Sequence, residues 1–221
     1  MADSRAPGHR RRFLDLAFQA QALRFGEFTL KSGRQSPYFF NAGRFDSGAM
    51  LATLGACYAD AVDAAGVEFD CLFGPAYKGI PLATALACEY ARRGRDLPVA
   101  FNRKEAKAHG EGGSLIGAPL QGRRVLVVDD VVTAGTAVRE ALAIIAAAGG
   151  TVAALAIGLD RQEAIAEGDT RSATQALADD TGIAVVAVAT LDDLLAFATE
   201  SAELVGQRER LLAYRNRYAC T

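Results

Sequence analysis

The stretch Val125-Leu126-Val127-Val128-Asp129-Asp130-Val131-Val132-Thr133-Ala134-Gly135-Thr136-Ala137 constrains the fold more than any other part of the chain. Its first four residues are apolar and three of them are β-branched, which predicts a strand buried on both faces. Two adjacent carboxylates, Asp129 and Asp130, follow it, then a turn of small residues and a helical run from about Thr136. In open α/β sheets ligands bind beyond the carboxyl ends of the strands. A small-residue turn at a helix N-terminus exposes backbone N–H groups and the positive end of the helix dipole. Such a turn cradles a phosphate, with Thr133 and Thr136 as hydroxyl donors. The acid pair repels that phosphate and suits hydroxyls, a hydrated Mg²⁺ or a developing cation instead. Together the two features imply a ribose phosphate.

Other readings of the stretch are narrower. A Walker-type phosphate loop needs Gly-Lys-Ser/Thr at the turn, and there is no lysine between Val125 and Leu159. A plain strand end with solvated acids is the simplest alternative. The chain has 221 residues, which fits one domain with a sizeable core. Its net charge of −2 carries no overall nucleic-acid footprint. Cys57, Cys71, Cys88 and Cys220 lack metal-ligand spacing and do not read as a disulfide framework, so a reducing, cytoplasmic setting is expected. The basic start is followed by Phe13-Leu14-Asp15-Leu16, broken by a charge, and does not read as a signal peptide. Residues 141–159 are uncharged, but alanine dominates their first half and Gly149-Gly150 interrupts them. They predict a helix end, a glycine terminator and a buried strand rather than a membrane span.

Residues 1–12 are polar and basic and are expected to form a frayed tail. Residues 13–23 have helical spacing. Residues 25–41 place short aromatic strands on either side of a Gly33 turn, a hairpin that could form a hood. Residues 47–65 read as a helix ended by Gly66. Residues 69–73 form a strand running into Gly74-Pro75-Ala76-Tyr77-Lys78-Gly79, and residues 80–93 are helical, with Pro81 in the first turn. A strand at 97–101 leads to a long polar loop over 102–120. Beyond the central strand and its helix come a strand at 151–159 ending at Asp160-Arg161, a helix near 174–179, a strand at 183–189 and a mostly helical remainder. Strands alternate with helices, which predicts an α/β domain with a mainly parallel sheet and helices on both faces.

Three further segments carry chemistry. The loop from Asn102 packs Arg103, Lys104, Lys107 and His109 close to glycines that can hinge a lid. A charge run is usually a solvated surface; beside a phosphate cradle these cations suit a pyrophosphate leaving group. The glycines of the 74–79 loop let backbone approach a ligand, and Lys78 adds a point charge. The hairpin offers Phe39 and Phe40 to a flat base, with Lys31 nearby for a negative group; paired phenylalanines also serve as core. Arg161, at a strand end beside the central turn, can fork onto a carboxylate. An ion pair with Asp160 or Glu163 is its alternative.

The pattern V-V-D-D-V-V-T-A-G-T-A resembles the phosphoribosyl-pyrophosphate (PRPP) signature of type I phosphoribosyltransferases. With F-T-L-K-S-G-R-x-S-P-Y-F-F-N-A-G, F-G-P-A-Y-K-G-I-P, F-N-R-K-E-A-K-x-H-G-E-G-G and L-D-R-Q-E, the chain is similar to the bacterial orotate phosphoribosyltransferases over nearly its whole length. The resemblance implies a single domain of the type I phosphoribosyltransferase fold, with a small N-terminal hood and a flexible lid. It implies transfer of ribose 5-phosphate from PRPP to N1 of orotate, with Mg²⁺ as cofactor, in the synthesis of pyrimidine nucleotides. It assigns Val131, Val132, Thr133, Ala134, Gly135, Thr136 and Ala137 to PRPP, chiefly its 5-phosphate. Asp129 and Asp130 fall beside the ribose hydroxyls and the metal's water shell, with no direct protein ligand to the metal. Tyr77, Lys78 and Arg103 meet the pyrophosphate. Lys104, Lys107 and His109 come from the partner subunit of a homodimer. Phe39 and Phe40 lie against orotate, while Lys31, Thr133 and Arg161 reach its polar edge or the neighbouring PRPP. The resemblance also implies a non-proline cis peptide bond between Ala76 and Tyr77.

Two rival readings remain. A phosphoribosyltransferase for a purine or uracil keeps the acid-pair signature but does not need Lys31, the hood phenylalanines or Arg161. A regulatory module that binds PRPP or nucleotide without catalysis could dispense with the lid cations, which this chain keeps. Neither membrane nor nucleic acid is an expected partner.

Overall fold

A computed structural model describes residues 8–30, 33–104, 115–133, 135–166, 169–200, 204–218 and 220. The chain opens with helix α1 (Gly8–Gln19), a hairpin of β1 (Leu23–Thr29) and β2 (Gln35–Phe40), and helix α2 (Gly48–Ala64). Then follow β3 (Cys71–Gly74), α3 (Gly79–Arg92), β4 (Val99–Asn102), β5 (Leu115–Gly117) and β6 (Arg124–Asp129). Next come α4 (Thr136–Ala147), β7 (Thr151–Asp160), α5 (Ala173–Thr181) and β8 (Ala184–Thr190). Helices α6 (Leu191–Glu200) and α7 (Val205–Tyr218) close the chain.

The main sheet has the strand order β5-β4-β3-β6-β7-β8 and is parallel except for β5, which pairs antiparallel with β4. The predicted buried strand, β6, lies between β3 and β7. Its alternate side chains enter two cores. Val125 and Val127 pack with Phe73, Ile145, Leu155 and Leu177 on one face. Leu126 and Val128 pack with Tyr58, Leu86 and Val188 on the other. Covering both faces removes any need for polar alternation, which is why the strand reads as one apolar run. Local signals set the helix boundaries. Ser47 accepts the Met50 N–H at the start of α2, and Ser172 with Gln175 forms a capping box at the start of α5.

Two expectations need correction. Residues 8–12 are not a frayed tail but the start of α1. Arg10 pairs with Asp193 of α6 at 3.0 Å, and Arg12 pairs with Asp60 of α2 at 2.6 Å. Long arginine stems let this turn be held by ion pairs, so it lacks the apolar periodicity that marks the helix from Phe13 onward. The loop expected over 102–120 also contains a strand, β5, whose Ile116 pairs with Phe101. Two apolar residues before a glycine are too few to read as a strand. Gly117 has φ of 96°, and a Cβ there would stand 2.3 Å from the Val99 carbonyl oxygen. Residues 105–114 of the predicted lid and residues 1–7 of the predicted tail lie outside the described residues.

Candidate active site

Asp129 ends β6, and the backbone of the acid pair is held from two sides. The Tyr58 hydroxyl donates to the Asp129 carbonyl at 2.8 Å, and the Gly158 N–H donates to the Asp130 carbonyl at 2.9 Å. The carboxylates are only 9% and 6% exposed. The Asp130 N–H donates to Asp129 Oδ1 at 2.9 Å, and Lys78 Nζ lies 2.6 Å from Asp130 Oδ2. Burial, reinforced by the charge of Asp130 next door, pushes the Asp129 carboxyl up to about 7. One acid of the pair thus has a salt partner, while burial opposes ionisation of the other.

Beyond the pair, Val131 is half-buried, Val132 is buried and Thr133 is exposed; Ala134 lies outside the described residues. Gly135 is the N-cap of α4 with φ of 72°, a conformation open to glycine at little cost. No side chain caps this helix and its first turn holds no acid, while Thr136 and Ala137 are exposed. The free amides and the dipole end therefore remain available to an anion, with the Thr133 and Thr136 side chains exposed beside them.

The loop after β3 supplies the second wall. The Ala76–Tyr77 peptide bond is cis, as expected from the motif. A Cβ on Gly79 would stand 2.6 Å from the Val128 carbonyl oxygen, so only glycine lets this loop lie against the end of β6. Tyr77 is 68% exposed, and Lys104 Nζ sits 4.9 Å from its ring centroid in the same chain. Arg103, at the root of the predicted lid, is half-buried. Asn102 was missed by sequence reasoning. Its Oδ1 accepts the Ala76 N–H at 2.9 Å, tying the loop to the end of β4. Its place at the head of the cationic loop was the available signal. Lys107 and His109 lie outside the described residues.

The hood splits its two phenylalanines. Strand alternation sends Phe40 into the core, 9% exposed, with Phe13 and Phe45 rings at 6.0 and 6.3 Å. Phe39 stays on the other face, 5.5 Å from the Phe28 ring, with the Arg24 guanidinium over both. The Phe40 ring is therefore taken up by the core and not free to lie against a flat base, a correction to the expected pair of stacking side chains. Lys31 lies outside the described residues.

Arg161 follows the end of β7. It is 15% exposed, its guanidinium lies 5.2 Å over the Tyr38 ring, and it pairs with Glu163 at 2.7 Å. The ion pair foreseen as an alternative thus exists, but it is half-buried and excludes Asp160, which instead accepts the Thr174 hydroxyl. Arginine has five N–H donors, so one carboxylate does not exhaust it. Among the described residues no three His, Cys, Asp or Glu side chains converge as metal ligands. A cavity of about 560 Å³ lies between the hairpin and α7, lined by Glu27, Gln35, Arg210 and Tyr214 among others, and holds none of the predicted site residues.

Residues 45–188 match the family model described as the phosphoribosyl transferase domain. The chain is 75% identical over 210 residues to an orotate phosphoribosyltransferase of Xanthomonas campestris pv. campestris, covering 95% of this chain and 96% of the relative. Identity to the orotate phosphoribosyltransferase of Stenotrophomonas maltophilia (strain K279a) is 69%, with the same coverage. The crystal structure of the orotate phosphoribosyltransferase of Francisella tularensis superposes with a TM-score of 0.83 at 41% identity, covering 94% of this chain and 98% of the other.

Proposed function

The chain belongs to the orotate phosphoribosyltransferase family, and from that premise we propose how its residues divide the work. The reaction transfers ribose 5-phosphate from PRPP to orotate, yielding orotidine 5′-monophosphate and pyrophosphate in pyrimidine nucleotide synthesis. The bond from the ribose anomeric carbon to the pyrophosphate oxygen breaks, its electron pair leaves with pyrophosphate, and orotate N1 forms the new bond as its proton passes to the departing pyrophosphate or to water. Positive charge gathers on the ribose as the leaving group departs.

One observation carries the assignment of roles: a buried acid pair stands directly before an uncapped helix N-terminus. In our reading the α4 amides with Thr133 and Thr136 hold the 5-phosphate. Asp129 and Asp130 accept the ribose hydroxyls and favour the cationic ribose. Tyr77, Lys78 and Arg103 face the pyrophosphate. Lys78, half-exposed and 2.6 Å from Asp130, exchanges that carboxylate for the stronger anion when it arrives. Lys107 and His109 cover the leaving group across a homodimer, whereas Lys104, which lies beside Tyr77 of its own chain, meets it from within the same subunit. The Phe39 ring and the Phe40 backbone flank orotate, and Arg161 meets its carboxylate. Free cysteines at Cys57, Cys71, Cys88 and Cys220 support a cytoplasmic setting.

Mg²⁺ fits this site without a dedicated cage. Asp129 and Asp130, adjacent and buried with one already paired to Lys78, would hold the ion through ordered water, leaving room for oxygen ligands from the substrate. When bound, the ion neutralises oxygens of PRPP. The test is orotate consumption followed spectroscopically with PRPP, before and after chelation. Turnover is expected to fall to background with a chelator and to return with added Mg²⁺. Full turnover in chelator would remove the metal from the account.

A further inference from the structure

Arg34 belongs to the hairpin motif yet has no part in the roles above. Its side chain crosses from the hairpin turn to the loop after β7. Nη2 donates to the Ala164 carbonyl at 2.7 Å, Nη1 lies 3.5 Å from Glu163 Oε2, and the guanidinium sits 5.1 Å over the Tyr218 ring. The other oxygen of Glu163, Oε1, receives Arg161 Nε at 2.8 Å, Arg161 Nη2 at 2.7 Å and the Tyr214 hydroxyl at 2.7 Å. One carboxylate is therefore shared by two guanidinium groups, and all three side chains are less than a fifth exposed.

The formal charges decide what this cluster can bind. Glu163 with Arg161 alone would be a neutral pair with little net attraction for an anion. With Arg34 drawing on the opposite oxygen, the cluster carries one uncompensated positive charge in a partly desolvated place. There a charge interacts more strongly than in water. Arg161 turns its Nε and Nη2 to Glu163, and its Nη1 makes no hydrogen bond among the described residues. Nη2 also reaches the Tyr214 hydroxyl at 3.4 Å, so Nη1 is the nitrogen that remains for a further acceptor.

We propose that Arg34 is a specificity-determining residue of the base site. By sharing Glu163 with Arg161 it keeps the cluster cationic, so that Arg161 selects a nucleobase that bears a carboxylate. This rests on Arg161 meeting the orotate carboxylate. Arg34 need not touch the substrate; it is a positioning residue that acts through Glu163.

The test compares orotate with its uncharged methyl ester as binding probes on the full chain. Arg34→Gln keeps a donor for the Ala164 carbonyl while removing the charge. Orotate affinity is expected to fall about 10- to 100-fold, with ester affinity and the KM for PRPP within about twofold of wild type. Adding Glu163→Gln to Arg34→Gln leaves Arg161 as the lone charge, and the double variant is expected to regain most of the lost orotate affinity. Structural damage alone would weaken both probes and would not be reversed by a second substitution. Equal losses for the two probes, no loss for orotate, or a double variant weaker than Arg34→Gln would each overturn the proposal. Wild-type protein that fails to turn over orotate would instead overturn the reading on which it rests.

Discussion

Lys107→Ala is expected to lower turnover about 10²–10³-fold, equivalent to roughly 3–4 kcal/mol of transition-state stabilisation, while the melting temperature stays unchanged. Pyrophosphate gains charge as it leaves, and a cation fixed over it stabilises that charge most where water is excluded. A lid residue is solvated when the lid is open, so its loss costs the folded state little. Steady-state kinetics and a thermal melt on the same preparation read both effects. A fall in melting temperature that tracks the loss of activity would make Lys107 structural. The proposed homodimer adds a second arm. Lys107→Ala mixed with Arg161→Gln is expected to recover activity up to about a quarter of the wild-type sites, by the symmetry of a two-fold dimer with random exchange. No recovery, with exchange confirmed, would place the whole site within one chain.

Asp129→Asn is expected to lower turnover by a similar factor, about 10²–10³-fold, because it removes a fixed charge beside the cationic ribose. Its effect on stability has the opposite sign. The Asp129 carboxyl is raised from an ordinary value of 3.8 to about 7 by burial and by the charge of Asp130. Between those values the folded chain binds a proton that the unfolded chain has released. The contribution of this group to stability is therefore full below about pH 4 and is lost as pH rises towards about 7. Asparagine has no charge to bury and can still accept the Asp130 N–H. At pH 8 the variant is expected to melt several degrees higher than wild type, since each unit of pKa displacement is worth about 1.4 kcal/mol. That gain shrinks towards pH 4. In wild type, kcat/KM for PRPP is expected to decline below about pH 7 as Asp129 takes up its proton. A variant less stable than wild type at pH 8 would show that the ionised carboxylate helps to hold the fold.

The sheet and the glycine-led start of α4 were legible because each rests on a local pattern: an apolar run for β6, a small-residue turn for Gly135, a change of period at Gly149-Gly150. The start of α1 was not, because its support is tertiary. Arg10 and Arg12 reach Asp193 and Asp60, residues far away in sequence. The same reason hid Asn102, whose partner amide is on another loop, and Glu163, which joins Arg34 to Arg161 only when the chain is folded. Phe40 shows the reverse case. The alternation of a strand is enough to separate it from Phe39, since adjacent residues of β2 point to opposite faces.

In our reading the half-buried Arg161, backed by Arg34 through Glu163, builds this site for a base bearing a carboxylate. The most direct measurement is kcat/KM with PRPP and Mg²⁺ for orotate, uracil and hypoxanthine in one preparation. Orotate is expected to be consumed with stoichiometric release of pyrophosphate, and uracil to react about 10⁴-fold less efficiently, since a partly desolvated cationic cluster is left unpaired without the carboxylate. Uracil or hypoxanthine turned over as efficiently as orotate would contradict the account.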